Sequence, residues 1–84
     1  MTRTELIKLL CENRIPKDLF DFEEGHGYLD DQYLLKKDGI KWSIYYLERG
    51  MKVLLKSFFS EEKANEYFYK ILLETITDGN GSIL

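Results

Sequence analysis

Few residues in this chain carry reactive chemistry: one thiol, Cys11, one imidazole, His26, and a crowd of carboxylates. A thiol within hydrogen-bond reach of an imidazole becomes an activated nucleophile, and Cys11 with His26 is the one such pair that can be drawn. Cys11 falls in a leucine-rich stretch of helical spacing, where a thiol is read as a small buried or half-buried side chain. His26, between Gly25 and Gly27, reads as a loop residue, and a protonated imidazole among nearby carboxylates would respond to pH. The acid pairs Glu23-Glu24 and Asp30-Asp31 invite a calcium or acid–base reading. A calcium loop needs acids at its first, third and fifth positions and glycine at the sixth. Counting from Asp18 the sixth residue is Glu23, and from Asp21 it is His26, so the pattern is not met. Gly25-His26-Gly27 lacks the spacing of a nucleotide-binding glycine loop, and no G-x-S-x-G segment occurs. A lone cysteine and a lone histidine supply neither a disulfide nor a zinc site of usual ligand type. We therefore expect no catalytic residue, no metal and no cofactor, and a chain that is not an enzyme.

The carboxylates gain meaning from their placement. Net charge is -3 over 84 residues, yet Asp18, Asp21, Glu23, Glu24, Asp30 and Asp31 follow one another with no intervening Lys or Arg. That stretch carries six negative charges, which leaves the rest of the chain at +3. A segment of this kind steers a basic partner toward itself and repels nucleic-acid phosphate.

These residues must be positioned by one small domain, because 84 residues hold no more. Thr2 with Glu5 three positions on makes a capping box, so a helix starts there. Leu6, Ile7 and Leu10, with Leu9 beside them, form its core stripe, while Arg3, Lys8 and Glu12 face water. Pro16 disfavours helical geometry at Ile15 and stops the helix near Asn13. Pro16 to Gly27 reads as a connecting loop with at most one helical turn over Pro16 to Phe20. Tyr28 to Lys36 reads as a strand, ended by the hairpin signal Asp38-Gly39. Trp42, Ile44 and Tyr46 alternate with Lys41, Ser43 and Tyr45 in the clearest strand, Lys41 to Glu48. Glu48-Arg49-Gly50 is a second reversal into a third strand, Met51 to Phe58, whose inward face the pattern leaves open. Ser60 caps a final helix with Glu61 and Glu62 in its first turn. Ala64, Tyr67, Phe68, Ile71, Leu72 and Thr75 give that helix its apolar face, and Gly79 offers a left-handed stop near Thr77.

The expected fold class is α+β: helix, three-stranded antiparallel meander sheet, helix, with both helices on one sheet face. Residues 1–77 form the domain and 78–84 a flexible tail. The other sheet face, carrying Ser43, Tyr45 and Leu47, is expected to be open to solvent or a partner. Either sheet edge accepts a strand from another chain, which leaves a homodimer through the edge or open face as an alternative. The same element order occurs in double-stranded RNA-binding domains. Those need lysines at the start of the last helix, and here that place reads Ser60-Glu61-Glu62-Lys63. Nucleic acid is not expected as a partner. The charged fraction of 32% and apolar runs far short of the ~20 residues of a spanning helix argue against a membrane. The charged N-terminal helix is unlike a signal peptide, so a cytoplasmic location is expected.

The run Trp42-Ser43-Ile44-Tyr45-Tyr46-Leu47-Glu48-Arg49-Gly50, followed by Phe58-Phe59-Ser60-Glu61-Glu62-Lys63-Ala64-Asn65-Glu66-Tyr67-Phe68, resembles small immunity proteins that accompany bacterial polymorphic toxins. The resemblance runs from about Ile15 to Leu73 and is carried mainly from Trp42 onward. It implies a stoichiometric activity, in which the chain binds a cognate toxin domain and blocks it, with no catalytic residue to carry over. The residues we expect at such an interface are the acids Asp21, Glu23, Glu24, Asp30 and Asp31, meeting a basic surface such as a nuclease cleft. Tyr28 and Tyr45 are expected to serve as aromatic anchors. Charge reversal of Glu23, Glu24, Asp30 and Asp31 is accordingly expected to leave the fold intact, slow association with the toxin and flatten its salt dependence. Stopped-flow association rates at two ionic strengths check this, and an unchanged affinity would remove the acidic surface from the interface.

Overall fold

A computed structural model of the chain describes residues 1–22 and 31–81. Helix α1 spans Arg3–Glu12, a 3-10 turn spans Lys17–Leu19, and strand β1 spans Phe20–Phe22. Strands β2 (Gln32–Asp38), β3 (Lys41–Glu48) and β4 (Met51–Phe58) follow, and helix α2 spans Glu61–Gly81. The class is α+β. The sheet, however, has four strands in the order β1-β2-β3-β4 and is mixed. Strand β1, in the stretch expected to be a loop, pairs parallel to β2 through Phe20↔Tyr33, Asp21↔Leu34 and Phe22↔Leu35. Three residues are too short for a period of two to announce itself. The strand is held by its two phenylalanines, which pack on α2.

The capping box forms as read: Glu5 N–H donates to Thr2 Oγ1 and Thr2 N–H donates to Glu5 Oε1. The helix stop has a different cause from Pro16. Arg14 takes a left-handed φ of 55°, its N–H donates to the Cys11 carbonyl, and Ile15 N–H donates back to the Leu10 carbonyl. This is a Schellman ending, with the accompanying apolar contact between Leu10 and Ile15 in the core. Leu6 and Leu10 are buried, but Ile7 is 45% exposed. Arg3 does not simply face water. Its guanidinium lies 4.5 Å from the Phe22 ring centroid and 3.5 Å from Glu61 Oε2, tying α1 to β1 and α2.

Both hairpins have two-residue loops. Gly39, with φ 64°, is the first loop residue between Asp38 and Lys41. Arg49 and Gly50 both take positive φ (51° and 78°) between Glu48 and Met51, the type I′ pattern that matches strand twist. Helix α2 continues through Gly81, four residues beyond the expected stop near Thr77. The assigned domain and tail boundary at 77/78 therefore falls within the helix.

One buried cluster joins Leu6 and Leu10 of α1, Leu35 and Ile44 of the sheet, and Ala64, Phe68 and Leu72 of α2. Phe68, fully buried, is its largest side chain. It meets Phe20 edge-on at 6.4 Å and Phe22 at 5.7 Å between centroids. Phe68→Ala is expected to cost about 3–5 kcal/mol through lost burial and the cavity left behind. Phe59→Ala, at a side chain 72% exposed, should stay within about 0.5 kcal/mol. Urea denaturation midpoints of the two variants test the contrast.

Candidate protein interface

The register lays Asp21, Leu34, Tyr45 and Leu54 in one row across the four strands. Leu35, Ile44, Phe58 and the helices lie on the opposite side. Two of the expected interface residues, Asp21 and Tyr45, thus share a face, two strand spacings or about 10 Å apart. Asp21 is half-buried and its Oδ1 accepts the Phe22 N–H at 2.7 Å. Asp31 stands apart from them. It enters β2 with φ 61°, donates its N–H to the Leu47 carbonyl at 2.8 Å, and accepts the Tyr46 hydroxyl at 2.6 Å. Charge reversal there removes a structural hydrogen bond as well as a charge. Glu23, Glu24, Tyr28 and Asp30, with His26, lie outside the described residues.

The face expected to be open is closed over its centre. Ser43, Gln32 and Leu34 are 3%, 4% and 0% exposed. Ser43 is small, lies between Lys36 and Ser57 in register, and shares a 3.1 Å hydrogen bond with the Ser57 hydroxyl. Gln32 Nε2 donates to the Phe20 carbonyl at 3.3 Å. Tyr45 is half-buried, with its hydroxyl donating to the Asp38 carboxylate and Lys52 Nζ lying 5.7 Å from its ring centroid.

Strand β4 holds the exposed apolar surface that the residue pattern did not place. Met51, Val53, Leu54 and Leu55 are 67%, 46%, 55% and 37% exposed, and only Ser57 and Phe58 at the far end are half-buried. Among the described residues β4 pairs with β3 alone, so its outer edge is free. A register shift at Ile44/Tyr45 marks a bulge midway along the pair. The reason lies in the chain connection: Phe59 and Ser60 alone join β4 to α2. The helix touches the end of β4 through Tyr67 on Phe58, 5.5 Å between centroids. It then crosses to β2, where Thr75 Oγ1 lies 3.2 Å from the Tyr33 hydroxyl, leaving Met51 to Lys56 uncovered. The available signal was the run Val53-Leu54-Leu55, which does not alternate. An edge strand that neither face buries has no need of a period of two.

Electrostatically the edge is basic. Arg49, Lys52 and Lys56 carry three positive charges, and no acid stands between Glu48 and Glu61. A concavity lies at the other side of the sheet. This groove of about 610 Å³ runs between the end of α1 and β1 and is lined by Ile7, Cys11, Ile15, Phe20 and Phe22, with Arg14, Lys17 and Asp21 contributing to its wall. Cys11 is exposed there, not buried or half-buried as expected, because it shares the outward side of α1 with Ile7. Among the described residues no three His, Cys, Asp or Glu side chains group as metal ligands. Among them, too, no helix is long and apolar enough to cross a membrane.

The two tyrosine–carboxylate pairs set a pH window. The Tyr46 hydroxyl, donating to Asp31 and partly desolvated, is pushed up to about 12. The Tyr45 hydroxyl is raised by its bond to Asp38, and the Asp38 carboxyl is lowered by the same bond, then by Ser43 and by Lys36 and Lys52. The stability that Asp38 contributes is present above the ordinary Asp range and is lost as pH falls through its lowered pKa. The stability from Tyr46 is present below the ordinary tyrosine value of 10.0 and is lost as pH rises toward about 12. Asp31→Gly keeps the left-handed backbone but removes the acceptor. Tyr46 should then ionise nearer the ordinary value, read from tyrosinate absorbance against Tyr46→Phe.

Compared with protein families, with curated proteins and with solved structures, the chain matches none of them.

Proposed function

We propose that the chain acts by binding another protein, and that this partner is the toxin domain implied by its resemblance to small immunity proteins. The observation that carries the binding reading is β4, an edge strand that among the described residues pairs with β3 alone and presents Met51, Val53, Leu54 and Leu55 to solvent. Exposed apolar side chains grouped on one element, rimmed by charge, are a surface that association buries. The two-residue Arg49-Gly50 turn and the ladder to β3 already set this strand extended, which lowers the ordering cost of binding. Asp21 sits on β1, at the opposite edge of the sheet from β4, and on this reading the acidic residues of the sequence steer a basic region of the same partner toward the chain. Inhibition is by occupation: the chain covers a catalytic or assembly surface of the toxin and transforms nothing itself. Against the double-stranded RNA-binding alternative stand the parallel β1 added to the three antiparallel strands and Glu61 and Glu62 at the start of α2.

The test identifies the reading frame adjacent to this gene and co-expresses the chain with its C-terminal domain. The expected result is restored growth and a one-to-one complex by light scattering. Leu54→Asp, at an exposed position, is expected to keep the fold and weaken that complex by at least about tenfold. A chain that gives no protection and self-associates instead would overturn the toxin reading in favour of a homomeric module.

A further inference from the structure

We infer that the β4 edge takes an extended acidic strand of its partner, which adds to the sheet as a fifth strand. This rests on the proposed function and names the chemistry of the docking element. Three features of β4 carry it. Its eight residues match the length of β3 and contain no proline, so alternate N–H and C=O groups along its outer edge are available to a fifth strand. Its exposed side chains are apolar in the middle, at Val53 and Leu54, and basic on either side, at Lys52 and Lys56. Those two ammonium groups serve both faces of the sheet. Lys52 lies beside the Tyr45 ring and Lys56 beside the Phe58 ring, at 5.7 and 5.9 Å from their centroids.

The lysines decide between occupants. Edge strands are commonly protected by lysine against pairing with their own kind. A second copy on this edge would bring four lysines onto two adjoining strands that hold no acid between Met51 and Phe58, and like charges across a ladder repel. A strand whose apolar centre is flanked by carboxylates meets the opposite condition: its apolar residues cover Val53 and Leu54 while its acids pair with Lys52 and Lys56. The residues that bar a second copy select an acidic partner.

The probe is a blocked hexapeptide, Ser-Glu-Val-Val-Glu-Ser, whose odd glutamate spacing puts one carboxylate on each face of an added strand, set against its lysine counterpart and against the same glutamate peptide with alternate N-methylated amides. Proton exchange and chemical shifts are read over every amide of the full chain. The glutamate peptide is expected to slow exchange along Met51–Phe58, and the lysine peptide to bind at least about tenfold more weakly. N-methylation should abolish binding without altering charge. The double variant Lys52→Glu with Lys56→Glu should reverse the preference between the two peptides. Absence of glutamate-peptide binding, equal binding of the lysine peptide, survival of binding after N-methylation, or a dimer protected at β4 without peptide would each overturn the inference. A toxin complex in which β4 amides exchange as in the free chain would also overturn it, while leaving the binding function standing.

Discussion

The contact of Phe68 with Phe20 and Phe22 is the interaction on which the rest of the structure depends. It brings α2 down on β1 and so converts a three-residue segment, too short to persist alone, into the first strand of the sheet. The Arg3 guanidinium lies over Phe22 and within 5.8 Å of the Trp42 ring centroid, so α1 is drawn into the same arrangement. Large aromatic areas leave water together at this point, and burial of that kind is the main favourable term for a domain of this size.

The same contact explains what is left uncovered. Helix α2 begins two residues after β4 and must reach β1 and β2 to bury Phe68 and Leu72. A straight helix that starts above one edge strand and packs toward the other cannot also lie along the first. Met51 to Lys56 pay for that geometry with exposure. The apolar edge is therefore a consequence of how α2 is tethered.

Much of the framework was legible locally. The capping box at Thr2 and Glu5, the two hairpin turns, the alternation from Trp42 to Tyr46 and the stripe Ala64, Phe68, Leu72 depend on neighbours a few positions apart, and each reads correctly from residue spacing. The candidate interface was less legible. Asp21 and Tyr45 fall on one face, but Asp31 turns out to hold Tyr46, and the apolar surface lies on β4, where the residue pattern left the inward face open. Exposure depends on which parts of the sheet the helices reach, which no window of a few residues contains. Ser43, buried between its strand neighbours Lys36 and Ser57, and Cys11, exposed on the outward side of α1, were likewise settled by neighbours distant in the chain.

The sequence by itself determined the α+β class, most element boundaries from Thr2 through Ser60, and the uneven charge, because these follow from backbone preference, periodicity and residue type. Only the tertiary structure decided that Phe20–Phe22 is a parallel strand, that the middle of the supposed open face is closed, and that β4 is bare. Those outcomes arise from pairing and packing between residues far apart in the chain, where the burial of one aromatic cluster outweighs the preferences of any single segment.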